Sequence, residues 1–373
     1  MMMESDNGTE KRALDRLRTE VEGIPLYMAG LPMFERVFAR DMIISALLFR
    51  DTDMLKESLR FCASKQGTKK DKLTGEEPGK IFHEWPGVTL DGRGEKLSTY
   101  NASETTALFI IGILEYERMT GDASLRSSLS ANITKAMSYI LRHVDDRGLF
   151  IEDPLFSGAE RYALRVTYWK DSHMSGREGG EPIYPVVYPL VHIQYISAIR
   201  MLSKILKDDS ITALYKRMRD ALPLLLDDDG ILCLASDKGG MIRGISSDLL
   251  HSLFYLERDD LRRKELQGLP ERFAEASEVL ETPIGYRTLD PSLSGTLTDE
   301  YHASTVWPFE QAIIHKAALK FGMDHVAEVA SRVKEVIKDS DAEIFKISET
   351  NHEPGGCDPQ LWTIAAKKHF GLF

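Results

Sequence analysis

Apolar residues recur every three or four positions through most of the chain, as in LFIIGILEYERM at 108–119 and AAKKHF at 365–370. This spacing places apolar side chains together on one face of an α-helix. The pattern predicts a chain of about twelve helices. They lie near residues 10–22, 35–50, 52–65, 103–120, 122–143, 184–207, 209–226, 245–257, 259–277, 303–322, 324–339 and 358–370.

The predicted helices alternate in character along the chain. MIISALLF at 42–49 and ALFIIGIL at 107–114 are apolar on nearly every face, whereas HVAEVASRVKEVIKD at 325–339 is amphipathic. A helix that is apolar all round is typical of a buried position, and a one-faced helix is typical of a covering position. Alternating inner and outer helices predict an all-α fold, an (α/α)6 barrel. A solenoid of helical hairpins would use the same alternation, but the chain shows no fixed repeat period.

Five long polar connections separate the helix pairs, at 66–102, 144–183, 227–244, 278–302 and 340–357. Connections of this length are uncommon and often carry function. One of them runs into ILCLASDKGGMIRGI at 231–245, the one convincing strand-and-turn signal in the sequence. Because no Pro- or Ser-rich linker divides the chain, we expect a single domain over 1–373. A polar N-terminal helix within 1–25 could lie at its periphery.

The composition is that of a globular protein, with 43% hydrophobic and 28% charged residues. The formal net charge is -11, whereas nucleic acids and anionic membranes call for clustered Lys and Arg. We therefore expect neither nucleic acid nor a membrane as a partner. The cysteines at 62, 233 and 357 lack metal-ligand spacing, and the N-terminus lacks an apolar signal segment. These features predict reduced thiols and a cytoplasmic location.

All four tryptophans fall in or beside the long connections, at Trp85, Trp169, Trp307 and Trp362. Carboxylates, His and Arg stand next to them, as in HEW at 83–85 and DEYHASTVWP at 299–308. Flat aromatic faces interleaved with hydrogen-bonding groups suit a sugar ring, which presents C–H patches to an aromatic face and hydroxyls at its rim. The plainer interpretation is that these aromatics anchor the loops to the helices.

Cleavage of a glycosidic bond usually needs two carboxyl groups, one to protonate the leaving oxygen and one to activate water or attack the sugar. Burial against an aromatic wall raises the pKa of a carboxyl group and keeps it an acid near neutral pH. Asp171 lies two residues after Trp169, deep in a long connection, and is our candidate for the acid. The alternative is an aspartate that stabilises a loop or caps a helix.

Six segments, in order, resemble the glucosidase domain of glycogen-debranching (amylo-α-1,6-glucosidase-like) enzymes, which are related to glucoamylase-like hydrolases. They are GLPMFERVFARDMIISAL at 30–47, PGKIFHE at 78–84, YNASETTALFIIGILEYERMTGD at 100–122, WKDS at 169–172, ETPIGYRTLD at 281–290 and YHASTVWP at 301–308. The match runs from about residue 30 to the C-terminus. The resemblance implies a six-hairpin (α/α)6 barrel and an inverting, exo-acting α-glucosidase. We expect no cofactor, and no metal, because no second His or Cys stands at helical or turn spacing from His302.

The resemblance also implies roles for individual residues. Asp171 matches the general acid, and Glu343, ahead of Gln360-Leu361-Trp362, matches the general base. Glu343 lies one residue farther from Trp362 than in the family pattern, so Glu349 stays an alternative. In an inverting enzyme the two carboxyl groups should stand roughly 6.5–9.5 Å apart. We expect the substrate to contact Arg40, Asp41, His83, Glu84, Trp85, Tyr100, Glu104, Trp169, Lys170, Arg177, Tyr301, His302, Trp307 and Trp362.

Some positions depart from the family pattern. Ala39 stands where the family usually has Gly, Glu104 where it has Asp, and His173-Met174 follow the WKDS segment. We expect the barrel to stand without the β-rich domain that usually precedes it in debranching enzymes. These departures argue against glycogen as the substrate and leave open which glycosidic linkage the protein cleaves.

Three other functions remain open. The first is hydrolysis of a small glycosylated solute such as glucosylglycerate or mannosylglycerate, whose carboxylate could be met by Arg177 or Lys170. The second is isomerisation of a free sugar, which would be expected to use a pair of histidines where this chain pairs Asp with Glu. The third is sugar binding without catalysis, in which the tryptophans would matter and the carboxylates would not.

Overall fold

The computed structural model describes residues 7–90, 92–294, 301–348 and 351–373. Twelve helices build the body of the molecule: Asn7–Leu17, Ala39–Phe49, Thr52–Ser64, Thr105–Thr120, Ser130–His143, Pro189–Leu206, Asp209–Ala221, Asp248–Leu253, Leu269–Ala276, Pro308–Phe321, Asp324–Ser331 and Leu361–His369. Shorter α-helical turns are Ser124–Ser128, Pro291–Ser294 and Lys334–Ile337. Single 3-10 turns are Pro154–Ser157, Glu178–Gly180, Leu222–Leu225, Lys264–Leu266 and Ser277–Leu280.

Six of these helices form a closed inner ring. Each packs on the next, and the last packs on the first: Ala39–Phe49, Thr105–Thr120, Pro189–Leu206, Asp248–Leu253, Pro308–Phe321 and Leu361–His369. Five outer helices each pack on the inner helix that precedes them in the chain, and Asn7–Leu17 packs on Leu361–His369. The molecule is therefore an (α/α)6 barrel, as the alternating pattern predicted. The N-terminal helix supplies the outer partner of the last inner helix, and its Leu17 is fully buried.

Local chemistry explains where several helices begin. The Asp51 side chain accepts a hydrogen bond from the backbone N–H of Met54, 2.9 Å away, and so caps the outer helix Thr52–Ser64. Pro189 and Pro308 occupy the first turns of their helices, where a missing N–H costs nothing. The predicted helices at 184–207 and 303–322 therefore start several residues later than the apolar pattern alone suggested. Among the described residues, none of the helices combines the length and apolar character needed to cross a membrane.

Short antiparallel strands join the connections, and most of them were not predicted. The hairpin expected at 231–245 is present as Ala235–Asp237 paired with Gly240–Ile242. The other strands pair as follows: Arg18–Val21 with Ile24–Tyr27, Val37–Phe38 with Glu84–Trp85, Val186–Val187 with Ala235–Asp237, Glu281–Thr282 with Gly285–Tyr286, Thr305–Val306 with Ile344–Ile347, and Ile344–Ile347 with His352–Gly355. Strands of two residues are too short to show an alternating pattern in sequence.

Candidate active site

A pocket opens at the mouth of the barrel where the inner helices begin. It encloses about 590 Å3 of empty space, including the solvent at its opening. Its wall combines residues from the long connections with residues at the starts of three inner helices. Eleven of the predicted site residues line it: Arg40, Asp41, His83, Glu84, Trp169, Asp171, Tyr301, His302, Trp307, Glu343 and Trp362.

Arg40 lies at the base of this pocket, in the first turn of Ala39–Phe49, and is 5% exposed. Its guanidinium donates to Glu104 on one side and, over 3.2 Å, to Oδ2 of Asp171 on the other. It also lies over the Trp362 ring, 6.0 Å from the centroid. One buried cation therefore links the candidate acid to a carboxylate behind the pocket wall.

Asp171 keeps contact with solvent, since 23% of its side chain is exposed. Burial of the carboxyl group raises its pKa to about 7, against the opposing effect of Arg40, which lowers it. Glu104 and Glu84 raise the pKa further by charge repulsion. A carboxyl group with this pKa is partly protonated at neutral pH and can donate a proton to a ligand in the pocket.

Glu343 is buried and is held by three hydrogen-bond donors. The Tyr301 hydroxyl donates to Oε1 over 2.5 Å, the Gln360 side-chain amide donates to Oε1 over 3.0 Å, and the Cys357 backbone N–H donates to Oε2 over 3.0 Å. Burial raises the pKa of Glu343, and the donors from Tyr301, Cys357 and Gln360 act against this effect. An ionised carboxylate is an acceptor only, so three donors fit the ionised form.

Gly356 explains how the loop fits against this glutamate. Its φ is +73°, and a Cβ atom there would lie 2.3 Å from Oε2 of Glu343. A side chain at this position would therefore collide with the carboxylate and strain the backbone. Glu349, the alternative base, lies outside the described residues.

Asp41 and His83 complete the polar wall. Burial raises the pKa of Asp41 to about 8, and repulsion from Glu343 and Asp171 adds to this effect. Asp41 is therefore a neutral acid at pH 7 and can donate a hydrogen bond to a ligand hydroxyl. Burial lowers the pKa of His83, with further lowering by Arg40 and Arg36, so its imidazole is neutral.

Aromatic rings pack against one another along the opposite wall. The His302 and Trp307 rings are stacked at 4.9 Å with an interplanar angle of 2°, and Tyr301 meets Trp307 edge-on at 4.9 Å. Trp169 meets both His302 and Trp307 edge-on at 5.7 Å. The Trp362 indole N–H is buried and, among the described residues, has no hydrogen-bond partner.

Five predicted site residues have side chains that do not line this pocket. Glu104 lies behind Arg40, and the Tyr100 hydroxyl donates instead to the backbone carbonyl of Lys65. The Trp85 ring lies under the ammonium group of Lys65, 4.7 Å from its centroid. Arg177 is taken up by Asp237 on the hairpin, through two hydrogen bonds of 2.7 and 2.8 Å.

Lys170, the fifth of these residues, lines a second pocket of about 410 Å3 that meets the first at His302. Its ammonium group is bonded to the Ser247 hydroxyl at 3.0 Å and the Thr288 carbonyl at 3.1 Å, and it lies 3.1 Å from Asp248. The second pocket also contains Ser172 and His173, which directly follow Asp171.

Sequence reasoning missed several pocket residues. Arg36 is the main one, since it donates to Glu84 and lies over the Phe38 ring at 5.3 Å. Gln360 is the second, because it holds Glu343. Both residues stand inside or beside segments that resemble the debranching family. Their chemistry depends on partners far away in the chain, which spacing along the sequence does not show.

One group of described residues has the side chains to bind a metal. Ligand atoms of Asp248, His251 and Glu310 lie within 4.8 Å of one another in the buried region beneath Trp169. The Lys170 ammonium already provides a positive charge 3.1 Å from Asp248. A divalent ion beside this carboxylate would meet that charge, so we assign no metal to the group.

Comparison with known proteins gives structural likeness only. No family model matches the chain, and no curated protein matches it. A GH63 mannosylglycerate hydrolase from Thermus thermophilus, solved with glucose, has a TM-score of 0.70 at 13% identity, over 99% of this chain and 100% of its own. The same enzyme solved with Tris and D-glycerate has a TM-score of 0.68.

Two rhamnosidases are also similar. The GH78 enzyme of Bacillus sp. GL1 has a TM-score of 0.62 at 12% identity, and this chain spans 34% of its length. The rhamnosidase of Klebsiella oxytoca, with rhamnose bound, has a TM-score of 0.57 at 13% identity, with 64% of its length matched. The resemblance to glycogen-debranching enzymes therefore stays an expectation from the sequence. The chain has the (α/α)6-barrel fold of these glycosidases.

Proposed function

We propose that this protein is an inverting glycoside hydrolase that releases a terminal sugar from a small glycosylated solute of the mannosylglycerate or glucosylglycerate type. The observation that carries the proposal is the pair of carboxyl groups that line one pocket, Asp171 and Glu343. Burial raises the pKa of Asp171 to about 7, which suits an acid. Three donors surround Glu343, which suits an ionised base.

The proposed reaction balances its protons within this pair. Asp171 gives its proton to the glycosidic oxygen as the bond to the anomeric carbon breaks. Glu343 takes a proton from a water molecule whose oxygen attacks the opposite face of that carbon, so the configuration inverts. Tyr301 and Gln360 hold the base in place while this happens. The next cycle needs the proton on Glu343 to return to Asp171 through solvent.

Other groups would bind the terminal sugar. Neutral Asp41 can donate to a sugar hydroxyl, and the partly exposed Tyr301 ring, which lines the pocket, can meet the C–H patches of the sugar ring. Lys170 is not free to bind the leaving group, because its ammonium is already held by Ser247 and Asp248.

Two comparisons support the small-solute proposal. The mannosylglycerate hydrolase matches this chain over its whole length, whereas the Bacillus rhamnosidase is matched over 34% of its own. A second candidate function is an exo-acting α-glucosidase of the amylo-α-1,6-glucosidase or glucoamylase type. The six ordered segments that resemble that family favour it, and both functions use the same acid and base.

Sugar release from a substrate panel tests the proposal. The panel contains mannosylglycerate, glucosylglycerate, maltose, maltotriose, isomaltose, panose, a limit dextrin and trehalose. Wild type, Asp171→Asn and Glu343→Gln are compared with Asp259→Asn, an exposed aspartate paired with Arg262 on an outer loop. We expect wild type and Asp259→Asn to release sugar equally and the other two variants to release almost none.

The substrate that is cleaved decides between the two candidates. Release from the glycerates supports the small-solute function, and release from the glucose oligomers supports the α-glucosidase. Proton NMR during the first turnovers should show the β-anomer first from an α-linked substrate, as inversion requires. Equal release by wild type and Asp171→Asn, or no release from any compound, would contradict the proposal.

A further inference from the structure

The three side chains that precede Asp171 all converge on one buried carboxylate, that of Asp248. The Tyr168 hydroxyl donates to Oδ2 of Asp248 over 3.1 Å. The Trp169 indole N–H donates to Oδ1 over 2.9 Å, and the Lys170 ammonium lies 3.1 Å from the same oxygen. Consecutive side chains of an extended segment point to opposite sides, so this convergence requires a bent backbone at 168–170.

Asp248 itself belongs to the barrel, not to the loop. It lies in the first turn of the inner helix Asp248–Leu253 and is 8% exposed. The positive end of a helix dipole stabilises a carboxylate there. The neighbouring Ser247 hydroxyl joins the Lys170 ammonium, at 3.0 Å, to the buried Glu310, at 2.7 Å. The segment that carries the acid is therefore tied to the inner helices by buried, charged hydrogen bonds.

We propose that Asp248 is a positioning residue that fixes residues 168–170 against the barrel and so holds Asp171 at the pocket wall. The inference rests on the proposed function, because it gives Asp248 a role in the acid step. Asp248 is not among the described residues that line the two pockets, so it would act through the segment it holds. Two hydrogen bonds and one ion pair to one carboxylate, from three successive residues, restrict that segment more than any single contact does.

The proposal has a consequence for the pH dependence of the reaction. Burial raises the pKa of Asp171. A loosened segment would let water reach this carboxyl group and would lower its pKa toward the ordinary range. The groups that face Asp171, namely Arg40, Glu104 and Glu84, would stay in place. Because the acid must be protonated, activity would then be lost at a lower pH on the alkaline side of the profile.

The first variant is Asp248→Asn, which removes the charge and one acceptor oxygen. We expect kcat to fall by about 100-fold, as a misplacement of about 1 Å can cause. The alkaline limb of the pH profile should move to lower pH. Hydrogen–deuterium exchange of the peptide that spans 168–172 should become faster.

A matched control is Asp260→Asn. Asp260 is also fully buried and also accepts from a tyrosine, Tyr215, while it pairs with Arg200 away from the pocket. This variant should lower the melting temperature without moving the alkaline limb or the exchange of 168–172. Tyr168→Phe and Trp169→Phe each remove one donor and keep an aromatic ring, and their melting temperatures report any loss of packing. Each should move the limb less than Asp248→Asn does.

The outcomes separate this inference from the proposed function. If wild type releases sugar but Asp248→Asn and the two Phe variants keep its pH profile and its exchange rates, the positioning role is wrong. It is also wrong if Asp260→Asn moves the alkaline limb as far as Asp248→Asn. If wild type releases no sugar, the proposed function fails. The role of Asp248 in holding residues 168–170 is tested separately, and an unchanged hydrogen–deuterium exchange rate at 168–172 in Asp248→Asn would overturn it.

Discussion

At the mouth that holds the pocket, the inner helices begin, and acidic residues such as Asp41, Asp248 and Glu310 occupy their first turns. At the opposite mouth the same helices end, and basic residues such as Arg118, Lys204 and Lys320 occupy their last turns. The positive end of a helix dipole favours anions, and the negative end favours cations. We call these two ends the acidic mouth and the basic mouth, although three inner helices, Thr105–Thr120, Pro189–Leu206 and Leu361–His369, begin without an acidic residue.

The basic mouth also has a large cavity, of about 1900 Å3 including its solvent. Burial lowers the pKa of Lys320 there to about 8, yet its ammonium donates to the carbonyls of Phe254 and Leu256 over 2.7 and 2.6 Å. Arg200 likewise donates to the Tyr255 carbonyl over 3.0 Å. These cations satisfy backbone groups near the end of a helix. At the acidic mouth, Asp171 and Glu343 line a pocket that a ligand can enter. A shifted pKa at that position is typical of a residue that acts on a ligand.

The largest expected effect is loss of activity at the acidic mouth. Asp171→Asn removes the proposed proton donor and Glu343→Gln removes the proposed base, and each should lower kcat by about 10³-fold or more, at the upper range of acid–base contributions. Both variants should keep the wild-type melting temperature or exceed it, because each relieves charge repulsion with Asp41. Steady-state kinetics and thermal melts check this pair of outcomes. Retained activity in either variant would contradict the proposal that catalysis takes place at the acidic mouth.

A smaller effect is expected from Tyr301→Phe, which removes a donor from Glu343. Loss of one hydrogen bond of ~1.4 kcal/mol in the transition state lowers the rate about tenfold. Since the donor lowers the pKa of Glu343, its loss should raise that pKa and move the acidic limb of the pH profile to higher pH. Tyr100→Phe is the matched control, because its hydroxyl bonds a carbonyl away from the pocket. An unchanged acidic limb in Tyr301→Phe would argue against Glu343 as the base.

The stability of the acidic mouth should depend on pH. The pKa of Asp41 is raised to about 8 from an ordinary value of 3.8, so the native protein keeps a proton that the unfolded chain releases. The contribution of Asp41 to the free energy of unfolding should therefore be largest below about pH 4 and should fall as the pH rises toward about 8. Asp41→Asn should reduce this fall, as measured by urea unfolding at about pH 5 and about pH 8. Asp259→Asn, on the surface, should retain the wild-type slope.

The smallest effect on activity is expected at the basic mouth. Lys320→Met removes two hydrogen bonds to carbonyls and should lower the free energy of unfolding by about 1–3 kcal/mol. Its kcat and KM should equal those of wild type, because the residue lies at the far end of the inner helices. A drop in kcat greater than the scatter of the measurement would show that the two mouths are coupled.

The sequence predicted the barrel well because its signals are local. Apolar residues repeat within each helix, and inner helices such as Thr105–Thr120 are buried on almost every face, as their all-apolar pattern indicated. The apolar pattern predicted the helix boundaries less accurately, because the prolines at 189 and 308 start helices inside longer apolar runs. The role of Asn7–Leu17 as the outer partner of the last inner helix joins the two ends of the chain. No local pattern could have predicted that contact.

For the site, the sequence by itself determined which long connections bear the aromatic and charged residues, and eleven of the selected side chains line one pocket. Tertiary structure alone decided which charges are free to act. Arg177 forms an ion pair with Asp237. Lys170 contacts Ser247 and Asp248. Glu343 accepts hydrogen bonds from Tyr301 and Gln360. Periodicity reports which face of a helix is buried. A side chain's hydrogen-bond partners and pKa depend on groups that are distant in sequence and adjacent only after folding.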